Sequence, residues 1–486
     1  MSERTRDMTL MVAVAALLLA GVGFDALTDD AVPAEGERAG SIFYERAEFC
    51  PPPALEEDAG AQLSVATASD GVPVGIDPLT EEPLDLSAGT TEVREVTGTQ
   101  PVQVEGFGAP VSASSAQFVD TSINKTGAVE GAGAGNCATD ASTSWYFPSG
   151  DSAVWTDYRL IVANPFPDEA VVKVSFITPE GEEPSAQLAE VPVPSGESEV
   201  LSISGSAIPQ DALSVRLNSV RGRVIAWKAL WTKPDKEPPG YEFSLGATEP
   251  ATTWYFPAGQ VSEDARQAIT LMNPGEEESS VSVTLTSNEA PVQSSKLLEI
   301  SVPAFTSREL VLADRLDKKN SNPGEVSAVV TVDNEVPIVA ESSLVLDGET
   351  ATGRMTEVGA THMSDSWLIG PPASKPIDEF VAIQNPTTED VTVDLTVYDG
   401  EVGSAGSQND DENGESGSAP GKLQDVVVPG GLRITVPIGA FTGGSPVFIA
   451  VVADGDVVVE RYASEQGRSD IASIMGQPDF GRPPTR

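Results

Sequence analysis

Aromatic rings are the side chains of this sequence whose type and spacing best suit a binding site. A block of three large apolar residues recurs at 145–147 (Trp-Tyr-Phe), 254–256 (Trp-Tyr-Phe) and 367–369 (Trp-Leu-Ile). Exposed Trp and Tyr rings stack on sugars and peptides, so a row of such blocks could bind wall glycan. Alternatively, each block fills the same hole in the core of a repeated domain. Leu368 and Ile369 replace two rings in the third block, which favours packing over stacking.

Three further tryptophans occur only in the first repeat: Trp155, Trp227 and Trp231. They are better candidates for an exposed ligand surface than the repeated blocks, although they are equally able to pack between domains.

Catalytic and cofactor motifs are almost absent. The one histidine, His362, falls in a linker, and one histidine with two cysteines nearly excludes a zinc site or any Ser-His-Asp triad not built around His362. The glycine-rich run 131–136 ends in Asn, fails the dinucleotide-binding pattern, and is predicted to be a flexible loop. Paired carboxylates for glycoside hydrolysis exist among 74 acids, but no spacing singles out a pair. The sequence therefore predicts no catalytic residue, no cofactor and no enzyme.

An acidic segment in the third repeat is the one local candidate for binding a cation. Residues 409–414 read Asn-Asp-Asp-Glu-Asn-Gly, which is similar to the start of a calcium loop. Pro420 stands where the bidentate Glu of such a loop is expected, so a solvated hairpin loop is favoured and no metal site is predicted.

An Asn-Pro pair follows each aromatic block after 19, 19 and 18 residues, at Asn164, Asn273 and Asn385. Asn can bond its own backbone and the following Pro withholds a donor, so each pair is predicted to end one strand and start a turn. Apolar side chains alternate with polar ones on both sides of the pair, which is the period of a half-buried strand. The alternating apolar residues are Leu160, Val162, Val172, Val174 and Phe176, then Ile269, Leu271, Val281, Val283 and Leu285, then Val381, Ile383, Val393, Leu395 and Val397.

These patterns predict a mainly β protein of tandem immunoglobulin-like antiparallel β-sandwich modules with about seven strands each. A propeller is the main competing geometry, but three units of this length are too few and too long for blades. The predicted organisation is a membrane anchor or signal segment (1–30), a tether (31–49), a divergent β-domain (50–138), repeat 1 (142–235), repeat 2 (251–350), and repeat 3 (364–476) with an acidic loop (401–422). The Pro-rich and charged linker 233–240 is predicted to be semi-rigid.

The two cysteines, Cys50 and Cys137, flank the divergent domain. In an exported protein such a pair favours a disulfide, which would add about 4 kcal/mol of stability by the chain-entropy estimate. Two buried or reactive free thiols are the alternative.

Export is indicated by residues 8–24, an uncharged and mainly apolar run of seventeen residues with Arg4 and Arg6 before it and Asp25 after it. This charge order favours a cytoplasmic N-terminus with the remainder outside. The run is short for a membrane-spanning helix but long for a signal-peptide core. An uncleaved anchor is favoured, and a cleaved signal or a buried helix are the alternatives.

The composition excludes some partners. With 74 acidic and 28 basic residues the net charge is −46, so nucleic acid and anionic lipid headgroups are repelled. The acidic excess is spread along the chain, which suits solubility or a salty habitat, and cation binding is the sharper alternative.

Several motifs together resemble a known family. They are the block 145–150, the turn 164–165, the closing segment 337–341, the opening Cys-Pro-Pro-Pro at 50–53, and Cys137. This combination looks like a domain of unknown function that occurs in actinobacterial envelope proteins with one N-terminal membrane segment. The resemblance covers nearly the whole exported part. It implies an anchored or secreted β-protein of the cell envelope and carries over no catalytic residue.

The sequence as a whole favours a non-enzymatic cell-envelope protein, single-pass in the membrane with its C-terminal part outside, that acts as a surface scaffold, spacer or adhesion stalk. A secreted form is the alternative location. The runner-up function is binding of glycan or wall polymer, in support of envelope glycosylation, and a divergent glycan-processing enzyme is less favoured. The expected partners are the membrane, through the N-terminal helix, and cell-wall glycan or envelope proteins.

Overall fold

The computed structural model describes residues 45–54, 59–119, 131–232, 238–317, 322–348, 351–402, 421–465 and 470–478. The predicted membrane segment 8–24, most of the tether 31–49 and the calcium-loop candidate 409–414 lie outside these residues. In the part of the chain that is described, no helix has the length and apolarity to cross a membrane.

The described chain is mainly β, as the sequence predicts, and its strands form four successive modules. The N-terminal module contains β1 (Glu45–Cys50), β2 (Ala59–Ala66), β3 (Val72–Asp77), β4 (Leu84–Leu86), β5 (Thr90–Val96), β6 (Val102–Phe107), β7 (Ser112–Val119) and β8 (Gly131–Asn136). Repeat 1 contains β9 (Ser144–Phe147), β10 (Thr156–Ala163), β11 (Ala170–Thr178), β12 (Gly181–Pro184), β13 (Val191–Val193), β14 (Ser198–Ser202), β15 (Ser214–Arg221), β16 (Ile225–Thr232) and β17 (Gly240–Leu245).

The last two modules have similar sets of strands. Repeat 2 contains β18 (Thr253–Phe256), β19 (Gln260–Val261), β20 (Ala265–Asn273), β21 (Ser279–Ser287), β22 (Pro291–Val292), β23 (Ile300–Val302), β24 (Thr306–Val311), β25 (Gly324–Val332), β26 (Val339–Asp347) and β27 (Thr352–Val358), with a 3-10 turn Ser295–Leu297 and a short helix α1 (Leu312–Arg315). Repeat 3 contains β28 (Ser364–Ile369), β29 (Pro376–Gln384), β30 (Val391–Val397), β31 (Asp399–Val402), β32 (Lys422–Val428), β33 (Arg433–Pro437), β34 (Ile449–Glu465), β35 (Ile471–Met475) and β36 (Gln477–Pro478), with a short helix α2 (Gly439–Thr442).

All four modules share one topology of two antiparallel sheets. The sheets run β1-β6-β3-β4 and β5-β2-β7-β8 in the N-terminal module, and repeats 1 and 2 have the same order. In repeat 3 the long strand β34 serves both sheets, pairing first with β28 and β30 and then with β29 and β35. One hydrophobic cluster fills each module. This strand order differs from the ABED and CFG order of an immunoglobulin domain, so the finer immunoglobulin-like prediction is not confirmed.

The last strands of repeats 1 and 2 fall outside the predicted module bounds. Strands β17 and β27 begin only after residues 235 and 350, where the predicted repeats 1 and 2 end, and β1 begins inside the predicted tether 31–49. Most residues of β17 are buried on both of its faces. Its apolar residues Tyr241, Phe243 and Leu245 alternate with Gly, Glu and Ser, so the alternation alone does not show that the second face is buried as well.

The aromatic blocks belong to the core. They form the first strand of each repeat, and Trp145, Trp254 and Trp367 are at most 2% exposed. Each indole N–H donates to the main-chain carbonyl at the equivalent place before or at the start of the closing segment: Val224 (2.8 Å), Ile338 (3.0 Å) and Val457 (3.1 Å). A buried Trp requires such a partner. The packing interpretation is therefore confirmed, and the blocks are not a row of exposed platforms.

In each Asn-Pro pair the buried Asn side chain links a turn to a distant strand, and we call this set of hydrogen bonds the Asn-Pro staple. The Asn164 amide donates to the carbonyls of Asp168 (2.8 Å) and Val193 (3.0 Å), and its oxygen accepts from the backbone N–H two residues on (3.1 Å). The same three bonds recur around Asn273 and Asn385. The pair therefore ends a strand and starts a turn, as predicted, and it also ties that turn to a strand about thirty to forty residues away.

The modules contact one another in a closed cycle through their last strands. Strand β8 contacts β17, β17 contacts β27, β27 contacts β35, and β35 returns to β8. The cycle is also joined by β31 of repeat 3, which pairs in parallel with β5 of the N-terminal module. The four last strands thus surround a central axis that relates the modules to one another.

Asp470 occupies this axis. Its carboxylate accepts one backbone N–H from the equivalent position of each last strand: Ala132 (3.0 Å), Tyr241 (2.7 Å), Arg354 (2.9 Å) and Ile471 (2.9 Å). The places equivalent to Asp470 in the other three modules are all glycine: Gly131, Gly240 and Gly353. A Cβ at Gly353 would lie 2.4 Å from Asp470 Oδ1, so the axis has room for one side chain.

The glycine-rich run 131–136 is strand β8, and the prediction of a flexible loop was wrong. Its glycines face the aromatic residues of β17, and a Cβ at Gly133 would lie 2.7 Å from the Cβ of Phe243. The run is rich in glycine because two strands approach closely here, whereas a loop signal in the sequence looks the same.

Candidate functional site

The predicted disulfide between Cys50 and Cys137 is present and leaves no free cysteine. Both residues lie in the hydrophobic cluster of the N-terminal module. The bond therefore joins the start and the end of that module, and the free-thiol alternative was wrong.

The three candidate tryptophans have different environments. Trp227 is fully buried, so it forms no part of an exposed ligand surface. Trp231 is half-buried against the core of repeat 1. Trp155 is also half-buried, but it lines a cleft between repeats 1 and 2. Of the predicted surface, Trp155 is thus the residue that lines this cleft.

This repeat 1–2 cleft has a volume of about 330 Å³, which is at the small end of the range for ligand sites. Repeat 1 contributes the turn after the aromatic block and strand β17, and repeat 2 contributes strands β20, β24, β26 and β27. The charged residues that line the cleft are Asp151, Asp211, Glu242, Arg266, Glu309 and Arg354. Four carboxylates and two guanidinium groups make the lining acidic.

A buried ion pair lies beneath the cleft. Lys228 Nζ lies 2.5 Å from Glu341 Oε1, and both side chains are fully buried. The backbone N–H of Ser149 donates to Glu341 Oε2 (2.7 Å), and Thr356 Oγ1 donates to Glu341 Oε1 (2.9 Å). These charge-assisted bonds join repeat 1 to repeat 2, since Lys228 and Ser149 belong to one and Glu341 and Thr356 to the other.

The glutamate that closes the repeats is thus an interface residue. Glu460 of repeat 3 occupies the place of Glu341 and accepts the backbone N–H of Ala258 in repeat 2 (3.0 Å), as Glu341 accepts that of Ser149. Trp227 stands at this place in repeat 1. Repeat 1 therefore lacks this glutamate, and its Trp227 Nε1–H instead donates to the carbonyl of Asn136 in the N-terminal module (3.3 Å).

Two carboxyl groups of the cleft have perturbed acidity. Burial raises the pKa of Glu242, and the charges of Arg354 and Lys228 oppose this shift. Burial likewise raises the pKa of Asp151, against the hydrogen bond from Thr156 Oγ1 (2.5 Å). Carboxyl groups with a shifted pKa that line a cleft make that cleft a candidate for a functional site.

The other sequence candidates do not converge on the cleft. His362 is exposed in the linker after repeat 2, and its ring stacks on Trp367 with centroids 5.7 Å apart. Within the described ranges, no group of three metal-ligating side chains could hold an ion. Glu242 and Arg354 were missed because the sequence gives them the polar positions of a half-exposed strand, whereas neighbouring modules pack against these strands in the fold.

The fold and the cleft define a class: a mainly β protein of four like modules with a polar cleft between two of them. The chain belongs to the family of unknown function DUF5719, which it matches over residues 113–362. This finding agrees with the resemblance to a family of unknown function. No curated protein matches the chain.

Some solved structures are similar to parts of the chain. The structure titled "Crystal Structure of Thermotoga maritima 1070" is 22% identical, with 24% of this chain and 97% of that chain covered and a TM-score of 0.20. The Anabaena sensory rhodopsin transducer is 19% identical, with 19% and 96% covered and a TM-score of 0.16. A Streptomyces avermitilis α-L-rhamnosidase complexed with L-rhamnose is 10% identical, with 84% and 53% covered and a TM-score of 0.14. These TM-scores are too low to support any inference.

Proposed function

We propose that this chain is a non-enzymatic protein of the cell envelope, whose exported modules act as a surface scaffold. The observation that carries the proposal is the Cys50–Cys137 disulfide, because such bonds persist in oxidising compartments outside the cytosol. The acidic composition and the resemblance to actinobacterial envelope proteins also support it. Residues 8–24 hold the protein in the membrane with the modules outside, and secretion after cleavage is the alternative.

The closed cycle of modules favours a compact scaffold over a spacer or adhesion stalk. Modules that pack on one another through their last strands do not add length as beads on a string would. Four interfaces instead present the outer sheets and loops of every module at fixed relative positions, which suits a platform for envelope proteins.

Fractionation of cells that express the full chain tests the proposal. We expect the protein in the membrane fraction, oxidised at Cys50 and Cys137, and sensitive to protease added to intact cells. Recovery wholly from the medium with residues 8–24 missing contradicts the anchor, and a cytosolic protein with reduced cysteines contradicts export.

Binding of glycan or wall polymer, in support of envelope glycosylation, is the second candidate, and Trp155 at the repeat 1–2 cleft is the observation that favours it. Pull-down on purified wall polysaccharide tests this role. Trp155→Ala is expected to weaken retention, whereas Val154→Ala is the matched control, since Val154 is 75% exposed next to it. Absence of binding by the wild-type protein removes this function. Release of sugar from the same polysaccharide would instead favour a glycan-processing enzyme. Loss of that release in His362→Ala would assign the activity to His362.

A further inference from the structure

The repeat 1–2 cleft contains a buried carboxylate that lacks a hydrogen bond. Glu242 is 6% exposed and lines the cavity, and it accepts no hydrogen bond from any described residue. Its nearest cation, Arg354 Nε, lies 3.9 Å from Glu242 Oε1, which is too long for a hydrogen bond. Arg354 Nε itself donates to no described atom. Arg354 Nε is a buried donor without an acceptor, and the Glu242 carboxylate beside it lines the cavity without a hydrogen bond, so the two groups offer a donor and an acceptor to a ligand group.

The module fold does not require an acid at this place. The strand register aligns Glu242 with Met355 of repeat 2, Ala472 of repeat 3 and Gly133 of the N-terminal module. The equivalent cavity between repeats 2 and 3 is accordingly more apolar and is lined by Met355, Phe380 and Tyr462. The polar pair is therefore particular to the repeat 1–2 cleft and serves something other than the shared fold.

The chemistry of the pair selects the ligand group. A hydroxyl can donate to the Glu242 carboxylate and accept from the Arg354 guanidinium at the same time. The remaining charges disfavour an anion, because Arg266 is already paired with Glu309 (2.9 Å), and Asp151 and Asp211 add negative charge. Trp155 lines the same cleft and adds an aromatic side chain to it.

We propose that the repeat 1–2 cleft binds a neutral saccharide unit, with one hydroxyl bridging Glu242 and Arg354 and Trp155 against the ring. The proposal rests on the second function above and gives it a place and a ligand class. Burial raises the pKa of Glu242, which agrees with a carboxyl group that is shielded from bulk solvent. The cleft volume suits one small unit, free or at the end of a polymer.

The test uses the full chain, with neutral methyl hexosides and N-acetylhexosaminides as probes in saturation-transfer NMR and purified wall polysaccharide in pull-downs. Wild-type protein is expected to bind at least one neutral probe. Glu242→Met, which introduces the residue found at the same place in repeat 2, is expected to reduce affinity at least tenfold, and Trp155→Ala to reduce it severalfold. Glu183→Gln, an exposed acid of repeat 1, is the matched control and is expected to leave affinity unchanged.

The outcomes separate the site from the function. Binding by the wild type that survives both Glu242→Met and Trp155→Ala overturns the site but leaves saccharide binding intact. No binding of any probe or of polysaccharide overturns both, and a preference for acidic sugars overturns the ligand class. Unfolding curves are measured for every variant, and if Glu242→Met is unstable, the isosteric Glu242→Gln is expected to show the loss instead.

Discussion

At the residue scale, Asp470 is the side chain on which the four modules converge. Its two carboxylate oxygens share four backbone N–H donors, one from each last strand, and it is 1% exposed. Burial raises the pKa of Asp470 well above its usual value, and the four donors oppose that shift. A carboxylate in this position accepts hydrogen bonds from backbone N–H groups of all four modules, which would otherwise lack an acceptor.

Replacement of this carboxylate tests its role. Asp470→Ala leaves four buried N–H groups without an acceptor, and each such group costs roughly 1–3 kcal/mol. We expect a loss of at least about 3 kcal/mol in the free energy of unfolding, measured by urea denaturation. Asp140→Ala, an exposed aspartate, serves as the control and is expected to change stability by less than about 0.5 kcal/mol. Equal effects of the two changes would exclude a special role for the axis.

The glycine opposite Asp470 makes a second prediction. In Gly353→Ala the new Cβ would lie 2.4 Å from Asp470 Oδ1, so overpacking is expected to lower stability by about 2 kcal/mol. Gly89→Ala is the matched control, because Gly89 also has positive φ but open space around it. Thermal unfolding of both variants separates steric conflict from backbone strain, and a larger loss in Gly89→Ala would contradict the crowded axis.

At the scale of elements, the Asn-Pro staple connects strands that are distant in the sequence. Asn273 is fully buried, and its amide ties the turn at Glu277 to the strand that ends at Val302 (2.7 and 2.9 Å). The same bond set is repeated in three modules. The indole N–H bonds of the first strands likewise connect residues that are distant in the sequence.

Removal of one staple is expected to weaken its module. Asn273→Ala should cost about 2 kcal/mol in urea unfolding, because two buried carbonyls lose their donor. Asn273→Asp should be at least as harmful, since a carboxylate cannot donate to either carbonyl. Asn334→Ala removes a similar bond, to Glu278 (2.8 Å), at an exposed place and is expected to cost less than about 0.5 kcal/mol. If Asn273→Asp is as stable as the wild type, the staple is not the stabilising feature.

At the scale of the whole molecule, buried acids make stability depend on pH. Burial raises the pKa of Glu460 to about 7 and raises those of Glu242, Glu357 and Asp151 above their usual values. A raised pKa means that the folded state binds the proton more tightly than the unfolded state, so stability falls as pH rises between the unfolded and folded pKa values. The net charge of −46 adds repulsion in the same direction.

We therefore expect the melting temperature to rise as pH falls from about 8 to about 5. Below that range Glu325 acts oppositely. Burial would raise its pKa, but the hydrogen bonds from Asn288 and Thr435 and the charge of Arg433 lower it, so its contribution to stability is lost on protonation. Differential scanning calorimetry across this range is the measurement. Repetition in about 1 M salt screens the surface charges, so the slope that remains comes from buried groups. A melting temperature that rises steadily with pH would contradict this account.

Much of each module could be predicted from the sequence, because local rules decide it. Alternation of apolar residues places strands such as β10 and β11, Asn164 with its Pro marks the turn between them, and Trp145 marks a core position. The position of the two cysteines at the edges of the N-terminal module predicted the Cys50–Cys137 disulfide, which is present. The candidate site was predicted only in part: Trp155 does line the cleft, whereas Trp227 is buried and Glu242 and Arg354 carry no local signal.

Only the tertiary structure decided what lies between the modules. Strands β8, β17, β27 and β35 pack against one another, so polar positions such as Glu242 and Ser244 are buried, although the alternation in the sequence predicts that they face solvent. Asp470 reaches the N–H of Ala132 across 338 residues, and Glu242 meets Arg354 across two repeats. The sequence by itself determined the modules, because neighbouring residues set a strand and its turn. The cycle, its axis and the cleft arise from contacts between distant residues, which no local pattern encodes.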